Sequence, residues 1–145
     1  MNASLEPQTA FAASATPLRV VLAGNPNAGK STLFNSLTGL RAKVANYPGV
    51  TVEIETGPWQ LPAGSAVERV ELIDLPGCYS LSALSAEEHV AITAIAGLPP
   101  LSTPAAVVIV ADATELARHL YLALQIRELD VPAVLALTMV DALEK

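Results

Sequence analysis

Gly24-Asn25-Pro26-Asn27-Ala28-Gly29-Lys30-Ser31 is the stretch on which the reading of this chain turns. It has the form G-x-x-x-x-G-K-S. It stands between a short, mostly apolar run over residues 18–23, suited to a buried strand, and a segment over 30–38 that reads as a helix. In a strand–loop–helix setting the loop's backbone N–H groups turn inward toward phosphate oxygens, and the helix N-terminus adds its positive end. Gly24 and Gly29 let the chain turn tightly and come close to a ligand, which a Cβ would hinder. The spacing gives Lys30 to the β- and γ-phosphates and the Ser31 hydroxyl to Mg²⁺. A glycine-rich turn without a ligand is the bland alternative. Eight matched positions in context favour the phosphate loop.

Outward from the loop, Leu33 and Leu37 fall one helical turn apart and form the expected buried stripe, with Phe34 beside them and Gly39 as the stop. Residues 40–50 read as a loop around the turn signal Asn46-Tyr47-Pro48-Gly49. Two strands, 51–56 and 67–73, look like a hairpin. Ser85-Ala86-Glu87-Glu88 has the capping-box pattern and opens a helix to about residue 96. Buried strands are expected over 105–110 and 133–138. Between them a helix over 114–129 takes its spacing from Leu116, Leu120, Ala123, Leu124 and Arg127.

The 145 residues suffice for one domain with a real core. Hydrophobic residues are 52% and charged ones 15%, the composition of a globular chain. The net charge of −6 argues against nucleic acid as a partner, since that binding neutralises phosphates with Lys and Arg. One cysteine excludes an internal disulfide. No apolar run approaches the roughly 20 residues that span a bilayer. Residues 1–17, rich in Ala, Ser and Thr and without a basic residue, read as a disordered leader and not as a targeting segment.

Alternating strands and helices imply an α/β fold: a P-loop NTPase, G-protein-like, with a doubly wound, mostly parallel sheet and one antiparallel edge strand. The domain is expected over 18–145. Ligands of such sheets sit outside the carboxyl ends of the strands. The P-loop, Asp74 of Asp74-Leu75-Pro76-Gly77, and Asp141 each follow a strand end, so the three converge on one crevice. There Asp74 can hold Mg²⁺ through water while the Gly77 N–H faces a γ-phosphate. Thr51 is either an ordinary strand threonine or a hydroxyl that completes the Mg²⁺ shell when a γ-phosphate is present. Asp141 is either a helix cap or a reader of guanine, whose N1–H and 2-amino group it would accept. His89 and His119 show no metal-ligand spacing and read as surface or packing residues. Trp59 is expected to pack over the hairpin, and Asp112 either caps the helix that follows, the favoured reading, or lines the crevice.

Three stretches together resemble the N-terminal GTPase domain of the bacterial ferrous iron transporter B family, FeoB: residues 24–39 from Gly24 to Gly39, Asn46-Tyr47-Pro48-Gly49-Val50-Thr51-Val52-Glu53, and Asp74-Leu75-Pro76-Gly77-Cys78-Tyr79-Ser80-Leu81. Asp112-Ala113-Thr114 and Leu120-Tyr121-Leu122 are similar to the same family, and the likeness extends over residues 18–141. It implies GTP or GDP as ligand, Mg²⁺ as cofactor and slow hydrolysis with Lys30, Thr51 and Gly77 in catalytic positions. It also implies regulation of Fe(II) uptake by a membrane-transport domain downstream, at the cytoplasmic face of the bacterial inner membrane.

The nucleotide contacts implied are residues 24–32, thus including Ala28 and Thr32, then Gly49, Val50 and Thr51, residues 74–77, and Thr138, Met139 and Asp141. Ser31, Thr51 and Asp74 would hold Mg²⁺. Asn27 matches the asparagine that helps hold K⁺ in potassium-activated relatives. Two features depart from the pattern. Thr138 stands where the base-recognition motif has asparagine, which is expected to weaken both the purine contact and the tie to the P-loop. The sequence also stops before the last helix–strand–helix part, so the domain is expected to be C-terminally truncated. Cys78 stands where many GTPases place a water-orienting glutamine, which favours slow turnover. A catalytically negligible nucleotide-binding module, an ATP-preferring P-loop protein and a homo-oligomer all remain open alternatives.

Overall fold

Leu18–Gly24 forms the central strand β1 of a six-stranded sheet. The computed structural model describes residues 16–67 and 69–144. The leader expected over 1–17 therefore lies, apart from Thr16 and Pro17, outside the described residues. Strand β1 is apolar on both faces because both are covered. Val20 and Leu22 pack with Phe34 of helix α1 (Lys30–Thr38) and with Val70 and Leu72 of β4 (Val70–Asp74). Val21 and Ala23 point the other way, into a cluster with Val90 and Ile95 of α2 (Ala86–Ala96) and Leu122 and Ile126 of α3 (Leu116–Arg127).

The remaining strands are β2 (Lys43–Asn46), β3 (Glu53–Pro58), β5 (Ala106–Asp112) and β6 (Ala133–Thr138). The order across the sheet is β2-β3-β4-β1-β5-β6. β4, β1, β5 and β6 are mutually parallel where they pair. β3 is the strand that runs against its neighbours, as the hairpin reading expects, and β2 extends the sheet beyond it. The doubly wound, mostly parallel arrangement is present, and it places the carboxyl ends of β1, β4 and β5 along one rim.

Four local expectations are corrected. Residues 40–50 are not all loop, since 43–46 form β2. That strand is exposed at every position, so it carries no burial pattern and only its ladder to β3 defines it. The buried stripe of α1 is Lys30, Phe34 and Thr38, whereas Leu33 and Leu37 are half-buried. In α3 the buried side chains are His119, Leu122 and Ile126. Leu120 and Leu124 face outward, because a 3-10 turn over Ala113–Glu115 precedes the helix and packing on β5 selects the other apolar stripe. β6 lies at the sheet margin with most of its side chains exposed, not buried as its composition suggests.

Candidate functional site

The phosphate loop is shaped by two positive φ angles. Ala28 N–H donates to Asn25 O at 3.2 Å, closing a turn. Asn27 then takes φ 63, a left-handed conformation that asparagine tolerates better than most residues. Gly29 follows at φ 87 and is the N-cap of α1. Glycine has no side-chain oxygen, so α1 begins without a side-chain cap and without an acidic residue in its first turn. α2 shows the contrast, for there the Ser85 hydroxyl accepts from Glu88 N–H at 3.1 Å. A helix N-terminus with no side-chain cap leaves its N–H groups free to bind an anion.

In front of α1 lies a cavity of about 480 Å³ walled by Asn25, Pro26, Asn27, Gly29, Lys30, Ser31, Thr32, Gly77 and Met139. The loop after β4 is bolted to the P-loop, with Leu75 N–H donating to Leu22 O and Cys78 N–H to Gly24 O, both at 3.1 Å. The approach is so close that a Cβ on Gly77 would stand 2.9 Å from Pro26 Cα. No other residue fits there without moving the loop. Lys30 is buried; its ammonium pairs with the Asp74 carboxylate and donates to Leu75 O at 2.6 Å. Asp74, Leu75 and Pro76 line an adjoining cavity of about 240 Å³, and Lys30 belongs to both walls.

Most of the residues singled out in the sequence thus come together. Ala28 is fully buried beneath the loop, and Gly24 ends β1 against Val110. Thr138 replaces an asparagine yet keeps a tie to the P-loop: its hydroxyl lies 2.6 Å from Ala28 O and 3.2 Å from Ala111 O, and its one proton favours the nearer. The tie to the loop therefore exists through one hydroxyl. Gly49, Val50 and Thr51 belong to a segment anchored by Tyr47, which is buried in the core with Tyr47 N–H donating to Val52 O at 2.8 Å. Thr51 itself is exposed on a bend and Asp141 is exposed in the 3-10 turn Val140–Glu144. Neither lines the cavity in front of α1.

Cys78 is buried, and its thiol is pushed up to about 11 by burial, with Glu88 adding to the rise and Lys30 opposing it. It is a neutral thiol at neutral pH and cannot orient water as an amide does. Asp112 caps Thr114 N–H at 2.8 Å as expected, but it also lines a cavity behind the P-loop with Glu115 and His119. His119, expected to be a surface or packing residue, is buried and stands with Asp112 and Glu115 at the spacing i, i+3, i+7.

Comparison with known proteins bears on all of this. Residues 18–145 match the sequence family described as "Ferrous iron transport protein B". The Fe(2+) transporter FeoB of Salmonella typhimurium and that of Escherichia coli are each 45% identical over 133 residues, covering 88% of this chain. The chain spans 16% of the length of those curated relatives. Among solved structures, the G domain of the T. maritima FeoB iron transporter superposes with a TM-score of 0.77 at 39% identity, over 90% of this chain and 77% of that one. The cytosolic domain of L. pneumophila FeoB gives 0.76 at 44%, over 87% and 47%. A mutant S. thermophilus NFeoB bound to GDP gives 0.76 at 39%, over 88% and 46%.

Proposed function

Because this chain belongs to the ferrous iron transport protein B family, we propose that it is a guanine-nucleotide switch that hydrolyses GTP slowly and governs Fe(II) passage through a membrane-transport domain of the same protein. The observation that carries the reading is the α1 N-terminus, which has no side-chain cap and faces a cavity with Lys30, Ser31 and Gly77 in its wall. The GDP bound to the S. thermophilus relative supports guanine as the base.

In this reading the P-loop N–H groups and Lys30 grip the phosphates, and Lys30 exchanges Asp74 and Leu75 O for phosphate oxygens as it does so. Ser31 and Asp74 offer hard oxygen donors on either side of Lys30, a set that fits Mg²⁺. Bound there, the ion would neutralise charge developing on the transferred phosphoryl group. Gly77 N–H would face the γ-phosphate, and Thr51 would swing in to complete the shell, coupling the Gly49–Val50–Thr51 segment to the nucleotide state. Asn27, in the cavity wall, suits a K⁺ ion beside the phosphates. Asp141 would read guanine once its segment closes over the cavity, with Thr138 and Met139 beside the base. Buried, protonated Cys78 leaves the attacking water unguided, so turnover should be on the order of 10⁻⁴ to 10⁻² per second.

Competition for a fluorescent GDP in Mg²⁺ buffer tests this. Unlabelled GTP and GDP should displace it while ATP does not; equal displacement by ATP would remove the guanine assignment. Phosphate release under excess GTP should exceed buffer and rise with K⁺. Release at the level of buffer would favour the non-hydrolysing module.

A further inference from the structure

The wall behind the phosphate loop carries a second set of ligating groups. Asp112 ends β5, Glu115 closes the 3-10 turn and His119 lies in the first turn of α3. One ligand atom from each lies within 4.8 Å of the others. The three border a cavity of about 180 Å³ together with Asn25, Pro26 and Asn27 of the phosphate loop. Asp112 Oδ1 is committed to the N–H and hydroxyl of Thr114 at 2.8 and 2.6 Å. Its second oxygen has no such tie. His119 is buried, and its Nδ1 accepts only a long bond of 3.4 Å from Asp112 N–H, too weak to hold the lone pair against a metal ion.

Asn25 supplies an independent sign. It borders both this cavity and the one in front of α1, is only 2% exposed, and both its amide atoms are buried without a hydrogen-bond partner among the described residues. Buried amides nearly always have partners, so an unpaired one on a cavity wall points to a ligand. The charges agree. Two carboxylates favour a dication, and Arg118, which also lines the cavity, makes only an exposed contact with Glu115 at 3.4 Å. An imidazole among oxygen donors shifts preference away from Mg²⁺ and Ca²⁺ toward first-row transition ions.

We propose that Asp112, Glu115 and His119, with the Asn25 amide oxygen as a fourth donor, bind one divalent first-row cation of the Mn²⁺, Fe²⁺, Co²⁺, Zn²⁺ class. This site is separate from the Mg²⁺ position assigned to Ser31 and Asp74. Its ligands come from the ends of β1 and β5 and from α3, and it touches the nucleotide cavity through Asn25, Pro26 and Asn27.

The test is titration of the nucleotide-free chain with Co²⁺ and Zn²⁺ in millimolar Mg²⁺, followed by calorimetry and by Co²⁺ visible absorption. The expected result is one equivalent bound, with absorption bands shifted by a nitrogen ligand. Glu115→Gln, an exposed change, should weaken binding tenfold or more. His119→Ala should abolish the nitrogen signature, and His89→Ala, at the other histidine, should leave both unchanged. If His119→Ala does not fold, Glu115→Gln decides alone. No binding by the parent chain, or equal binding by Glu115→Gln, overturns the site.

Discussion

Lys30 serves two masters. In the structure its ammonium neutralises Asp74 inside the fold, while in the proposed function it neutralises phosphate. Both side chains are about nine-tenths buried, so removing one partner strands a charge away from water. Lys30→Met should therefore lower the unfolding free energy by about 3–5 kcal/mol in denaturant titration and abolish fluorescent GDP binding. The double variant Lys30→Met/Asp74→Asn should regain much of the stability and none of the binding. Recovery of both would mean that the lysine acts through the fold alone. Thr138 makes a related point at the same scale. The sequence shows only that an amide is missing; that a hydroxyl can still reach Ala28 O depends on how closely β6 approaches the loop, which no spacing reveals.

Among the elements, α2 carries the clearest capping signal, and the structure both keeps and alters it. The Ser85 cap forms as expected, but the Glu88 carboxylate accepts principally from Leu84 N–H at 2.9 Å, one residue before the cap. That bond leads the effects holding the Glu88 carboxyl below its usual range, with help from Ser80 and Ser82, against a smaller opposing effect of burial. A depressed acid stabilises the fold above its ordinary value near 4.5, and that contribution disappears as the pH falls through the lowered one. Thermal melts should thus lose stability on acidification below pH 4.5. Glu88→Gln should flatten part of that fall, and Asp112, also held low by Thr114, should account for some of the remainder. Helix caps and the P-loop were legible because they depend on neighbours in sequence. The orientation of α3 was not, because the chain offers two apolar stripes and only contact with β5 chooses between them. β2 was silent for the opposite reason, having no buried position at all.

Over the whole molecule, burial is concentrated in β1, β4 and β5, while the marginal strands β2 and β6 are mostly exposed. Amide hydrogen exchange should follow that gradient, slowest in the three central strands and fastest in β2 and β6, since marginal elements open at lower cost. Uniform protection across the sheet would mean that it opens only as one unit. The candidate sites were legible to the extent that strand ends share a rim. The trio behind the loop lies within eight residues of sequence, but that Asn25 borders the same cavity depends on β1 and β5, far apart in sequence, being neighbours. That adjacency also has a meaning in time. β1 emerges from the ribosome before its partners, which begin at Val70 and Ala106. At roughly 5–20 residues per second, Val20 waits roughly 4–17 s for Ala106. During that interval an apolar central strand has at least one flank unpaired, which makes the nascent chain a natural client for chaperones that shield extended apolar segments.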